Sequence, residues 1–110
     1  MVKEKIENLK EVRRFINRVK KKINIDKVIL FGSFVEGKQR EWSDIDLAIV
    51  SDDFSKMSFH QRLVFLGMLA WQAKVTEIEA LGYTLDEYKN ATKLDFLGEI
   101  KRTGEIIYEK

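Results

Sequence analysis

Residues 29–50 read ILFGSFVEGKQREWSDIDLAIV, and this stretch decides the fold. An apolar run is broken by Gly32-Ser33, ten mostly polar residues follow, and Asp44-Ile45-Asp46 then leads into a second apolar run, Leu47 to Val50. Two apolar runs of this length, bounded by turn residues, predict two buried strands. Side chains at i and i+2 of a strand share a face, so Asp44 and Asp46 converge while Ile45 turns into the core. Two adjacent carboxylates repel each other. A divalent cation relieves that repulsion, and carboxylate oxygens together with substrate phosphates suit Mg²⁺. Gly32 lets the backbone approach an anion closely. The amides that follow, at the start of a helical turn near 33–38, would point N–H groups at it, with the Ser33 hydroxyl as a further donor. Neither half is specific alone: Gly-Ser turns are common, and a lone Asp-x-Asp more often marks a solvated strand edge. The joint pattern of strand, Gly-Ser, ten residues, Asp-x-Asp and strand carries the inference.

Working outward, Ile6, Leu9, Val12, Ile16, Val19 and Ile23 recur at helical spacing, which predicts an amphipathic helix over 3–23. The first strand is expected over 25–31 and the second over 44–50. Residues 51–57 read as a connection, and 58–73 as a helix apolar on most sides, central in the fold or partly covered by another chain. VTEIEAL (75–81) reads as a third strand. Thr84 with Glu87 makes a capping box for a helix over 85–92. A further helix over 94–103 stops at Gly104, and EIIYE (105–109) closes the order as a strand.

The chain has 110 residues, no cysteine and a net charge of +2. That length predicts one domain, 1–110, of α/β (α+β) class. Without cysteine there is no disulfide framework and no thiolate metal site. No apolar run reaches the ~18 residues of a membrane span, and the charged first segment has no apolar signal-peptide core. A cytoplasmic protein is expected. Residues 1–24 hold nine Lys or Arg against three Glu, whereas the remainder holds eleven basic against fifteen acidic residues. The basic segment reads as a solvated helix face, with attraction to nucleic acid or an acidic partner as the alternative. His60, the one histidine, is expected in a structural or surface role rather than a catalytic one. Trp71, Phe65 and Met68 are expected in the core or at a subunit interface, and Trp42 is expected to pack on its own strand ends.

The segment FGSFVEGKQREWSDIDLAIV (31–50) resembles the nucleotidyltransferase signature of the DNA polymerase β superfamily, in the form found in minimal nucleotidyltransferases. The resemblance implies a small mixed β-sheet with helices packed mainly on one face. It implies nucleotide binding by Gly32, Ser33, Asp44 and Asp46, and Mg²⁺, two ions when nucleotide is bound, on Asp44 and Asp46. It also implies a third carboxylate on a later strand, which helps hold the metal and activates the acceptor hydroxyl. Glu79 is preferred for that role, because it sits between Ile78 and Ala80; Glu77 is the alternative. The implied reaction is transfer of a nucleoside monophosphate, AMP from ATP, to a hydroxyl. In this family the acceptor can be a tyrosine of an all-helical HEPN (higher eukaryotes and prokaryotes nucleotide-binding) toxin, which would make the chain an antitoxin. A homo-oligomer is also allowed, whereas nucleic acid and membrane are not expected partners. One departure stands out. Relatives often carry a basic residue soon after Gly-Ser, where this chain has Phe34, Val35 and Glu36. That motivates an alternative in which the domain holds nucleotide or covers a HEPN partner without turnover.

Overall fold

The computed structural model describes residues 2–32, 45–75 and 77–110, with the backbone alone for 2–9. Its centre is a strand pair, β1 (Lys27–Phe31) and β2 (Ile45–Val50), joined antiparallel with Leu30 opposite Leu47 and Phe31 opposite Asp46. β3 (Ile78–Tyr83) runs parallel to β2, and β4 (Glu105–Glu109) runs antiparallel to β1, giving the order β3-β2-β1-β4. A parallel neighbour requires a crossover. Here a short 3₁₀ turn (Asp52–Lys56) and helix α2 (Phe59–Gln72) supply it.

Alternation along the strands divides the core. Val28, Leu30, Ile45, Leu47, Ile49, Ile78 and Ala80 face α2 and helix α1 (Val2–Lys20), which contributes Val12, Phe15, Ile16 and Val19. Ile29, Phe31, Ala48, Val50 and Tyr83 face the other way, where Leu97 and Ile100 of α4 (Phe96–Thr103) pack, with Leu85 and Tyr88 of α3 (Leu85–Asn90) beside them. The two long helices thus share one face, as expected, and two short ones cover part of the other. The strands β1 and β2 are near-continuously apolar because both their faces are covered.

Several boundaries differ from the expected ones, each for a local reason. Helix α1 ends at Lys20 rather than at 23: Lys21 and Lys22 bond back to the carbonyls three residues earlier, which tightens the last turn. Residues 25 and 26 precede β1 instead of belonging to it. The connection over 51–57 contains the 3₁₀ turn, capped by Ser51, whose hydroxyl accepts from the Asp53 amide at 3.1 Å. β3 spans 78–83, not 75–81. After α2, Lys74 takes a left-handed φ of 60°, and the Ile78 amide bonds the Val75 carbonyl, so Val75 belongs to a turn although it is fully buried. The Thr84–Glu87 capping box is present, and α4 does stop at Gly104. The expected turn at 33–38, the loop with Trp42, and Asp44 at the head of β2 lie outside the described residues.

One polar device ties the crossover to the sheet. Arg62 of α2 is buried, and its guanidinium donates to the carbonyls of Met57 (3.1 Å) and Gly82 (3.2 Å) and to Glu87 Oε1 (2.8 Å). Glu87 Oε1 also accepts from the Thr84 amide, so the ion pair and the α3 capping box share one carboxylate. Burial alone would push the Glu87 carboxyl up. The hydrogen bonds from Arg62 and Thr84 and the guanidinium charge outweigh it and hold the group below its ordinary value of 4.5. A group with a lowered folded pKa adds stability above its unfolded value and loses it as pH falls through the folded one. Arg62→Met should therefore lower unfolding stability by about 2–3 kcal/mol at pH 7, discounted because Glu87 is half exposed. The loss should shrink as pH falls through the lowered folded value of Glu87, where the ion pair is lost from the wild type as well. Urea denaturation at pH 7 and pH 3.5 checks both.

Candidate active site

β1 ends at Phe31 and the chain turns at Gly32, whose φ of +81° lies in the left-handed region that disfavours side chains. A second constraint acts there. A Cβ at Gly32 would lie 2.4 Å from Asp46 Oδ2 and 3.2 Å from its Cγ. The Asp46 carboxylate therefore rests against the glycine backbone, in space that only a missing side chain leaves open. Gly32 and Asp46, assigned to one site from sequence, are in contact.

Across the sheet, parallel pairing sets Asp46 opposite Glu79. Neighbouring strands are ~4.8 Å apart, and both side chains point to the face away from α1 and α2, because Leu47, Ile78 and Ala80 point toward those helices. Asp46 is half-buried and Glu79 exposed. Glu77 is elsewhere. It precedes β3, its backbone carbonyl accepts from the Ile45 amide at 2.8 Å, and its carboxyl is hydrogen-bonded to Glu11 of α1. A strand over 75–81 would set Glu77 and Glu79 on one face, but β3 starts at Ile78 and leaves Glu77 outside it. Of the two carboxylates, Glu79 is the one brought beside Asp46. Ser33 and Asp44 lie outside the described residues. Among the described residues no group of three or more His, Cys, Asp or Glu is placed to hold a metal ion. The pair Asp46 and Glu79 offers oxygen donors only, the type that hard divalent cations prefer.

Aromatic side chains border this face. Phe96, at the start of α4 and 61% exposed, meets the edge of Phe31 with ring centres 5.9 Å apart. Phe31 is the register partner of Asp46, so Phe96 reaches the neighbourhood of the carboxylates. A cleft of about 550 Å³ runs from Phe96 past Asp95 to Tyr83, Arg62 and Phe59. Burial pushes the Tyr83 phenol up, Glu87 adds to this and Arg62 opposes it, so Tyr83 stays protonated at neutral pH. Sequence reasoning found neither Phe96 nor Arg62. The exposed aromatic in a Leu-Asp-Phe run was a signal for the first; nothing local marks the second.

Comparison with known proteins fits this geometry. The family model "Polymerase beta, Nucleotidyltransferase" matches residues 13–110, and the chain belongs to that family: it is a nucleotidyltransferase. It is similar to the Methanocaldococcus jannaschii protein named "Putative protein adenylyltransferase MJ0141", with 29% identity over 103 residues covering 90% of this chain and 94% of that one. A second protein of that organism, "Putative protein adenylyltransferase MJ0604", is 47% identical over 45 residues, 39% of this chain and 45% of the other. Among solved structures, one from Sulfolobus solfataricus described as a "putative nucleotidyltransferase" superposes with a TM-score of 0.71 at 16% identity, covering 99% of this chain and 86% of that one. The structure described as "toxin-antitoxin with AMP-PNP" does so at 0.63 and 19% identity, covering 89% and 73%. Both share the fold.

The Glu11–Glu77 pair provides a check on the placement of Glu77. Its hydrogen bond with Glu77, burial and the like charge of Glu77 raise the Glu11 carboxyl, against an opposing Arg14. A carboxyl raised on folding makes the native state lose stability as pH rises from the unfolded value through the folded one. Glu11→Gln should then raise the melting temperature at pH 8 and leave it nearly unchanged at pH 4. Equal effects at both pH values would refute the pairing.

Proposed function

We propose that the chain transfers AMP from ATP to a hydroxyl of a partner protein, with Asp44, Asp46 and Glu79 as its catalytic carboxylates and Gly32-Ser33 as the turn that holds the triphosphate. The observation that carries this reading is the meeting of three strands at one point: Gly32 at the end of β1, Asp46 against it on β2, and Glu79 in register on β3. Mg²⁺ on Asp44, Asp46 and Glu79, as two ions when nucleotide is bound, would neutralise the triphosphate and the departing pyrophosphate. The donor set suits it, and an ion would also relieve the repulsion between Asp46 and Glu79.

The chain's own groups have separate tasks. The bare Gly32 backbone admits a phosphate beside Asp46. Glu79 is exposed on the edge strand, where an incoming acceptor can reach it, and its carboxylate takes the acceptor's proton. The acceptor oxygen forms a bond to the α-phosphorus as the bond to the bridging oxygen breaks, and pyrophosphate leaves with that electron pair. The names of the M. jannaschii relatives support a protein as acceptor. The fold shared with a toxin–antitoxin structure described with AMP-PNP supports ATP as donor and a toxin as partner, for which a HEPN-type protein with an acceptor tyrosine is our specific reading. A cytoplasmic location is part of the same proposal, because ATP and Mg²⁺ are abundant there; among the described residues no helix is long and apolar enough to cross a membrane.

With α-labelled ATP, Mg²⁺ and the co-purified partner, Asp46→Asn should reduce labelling by about 10³-fold and Glu79→Gln by about 10²-fold. Glu77→Gln should leave it unchanged. Intact mass spectrometry should find the modified partner heavier by about 329 Da per AMP, as in-line transfer requires. Nucleotide binding without any label on the partner would favour the non-catalytic module that Phe34, Val35 and Glu36 suggest.

A further inference from the structure

Helix α2 carries an apolar face that the fold does not use. Leu66, Leu69 and Ala70 fill the core beneath it. On the opposite side Leu63 (42%), Val64 (56%), Met68 (50%) and Trp71 (71%) are open to solvent, while Phe59 leans on Tyr83 at the cleft. The outward arc carries no Lys, Arg, Asp or Glu. The one strongly charged residue of the helix, Arg62, is turned inward to Glu87.

Gly67 sits at the middle of this face, with Leu63, Val64 and Trp71 as its i−4, i−3 and i+4 neighbours. After proline, glycine is the least favourable residue in a helix interior. Such a glycine normally answers to a close approach by other atoms, yet a Cβ at Gly67 would meet nothing within 4 Å. Nothing in the described fold requires it. A glycine ringed by Leu, Val and Trp leaves a shallow floor on which a second helix can lie closely.

We infer that this face is the seat of a second copy of the chain, in a two-fold dimer whose α2 helices cross antiparallel at Gly67. Three observations select a second copy. The patch is self-complementary: a two-fold crossing at the glycine sets the Trp71 of each copy beside the Leu63 and Val64 of the other, as an isologous contact requires. It is free of strong charge, so like meets like without repulsion, and it offers no counter-charge to an acidic or basic partner. The area suits a weak, concentration-dependent contact: the four side chains expose roughly 400 Å² per copy, or about 850 Å² per dimer, just under the ~1,000 Å² of a tight specific interface. Helix α2 lies on the sheet face opposite Asp46 and Glu79, so the dimer leaves both carboxylate faces open.

Sedimentation equilibrium of the full chain from ~1 to ~100 µM, concentrations that span the affinity such an area supports, tests the inference. A species of twice the 12.9 kDa chain mass is expected to form across that range. Gly67→Gln should weaken the dimer at least tenfold while leaving the melting temperature of the dilute protein unchanged or higher, because glutamine is the better helix former. Met68→Glu should abolish the dimer. A wild-type chain still monomeric at the top concentration overturns the inference, including the case in which only a different protein covers Trp71. A dimer unaffected by both substitutions overturns it too, by placing the contact elsewhere.

Discussion

The register of β2 against its two neighbours is the constraint on which the rest depends. Leu47 to Val50 are fully buried, with alternate residues committed to opposite cores. A slip of one residue would exchange the faces of every side chain on the strand. It would drive Asp46 into the layer beneath α1 and α2 and turn Leu47 outward. The apolar alternation that stabilises the sheet is therefore also what aims the carboxylate. The same register brings Phe31 and Glu79 to either side of Asp46, so packing energy spread over many residues fixes the position of two charges that would by themselves repel.

Much of this was legible in the chain because it is local. β1, β2 and β4 follow from apolar runs between turn residues, and α3 follows from the Thr84–Glu87 box. Gly32 and Asp46 were readable as partners only through the spacing of the whole segment 29–50. The start of β3 was not legible. Val75, Ile78 and Ala80 are all buried, so a hydrophobicity pattern cannot separate a strand residue from one held in the turn after α2. What decides it is the left-handed Lys74, a conformation that lysine gives no reason to expect. That three-residue difference is what keeps Glu77 as an alternative to Glu79 in the sequence.

Arg62 shows a different limit. Arginine is mostly exposed in folded proteins, and at its place in an apolar helix it reads as the polar side of an amphipathic pattern. Its burial follows from contacts at Met57, Gly82 and Glu87 that meet only when the crossover closes. Glu87, readable as a capping residue, has a second task that no local rule assigns. By sharing one oxygen between an amide and a guanidinium it joins α3 to α2, and so shapes the cleft that runs toward Phe96.

The distribution of charge bears on how a triphosphate can be held at all. The basic excess of the chain lies in its first 24 residues, and the described core-facing side of α1 packs on the sheet face opposite Asp46 and Glu79. The remaining residues are acidic on balance. Under the proposed function, positive charge for the phosphates would come in large part from cations arriving with the nucleotide. On that reading the Phe34, Val35 and Glu36 of the sequence would shift the burden of phosphate neutralisation from side chains to metal, and nucleotide affinity should depend more steeply on Mg²⁺ than in relatives with a basic residue at those positions.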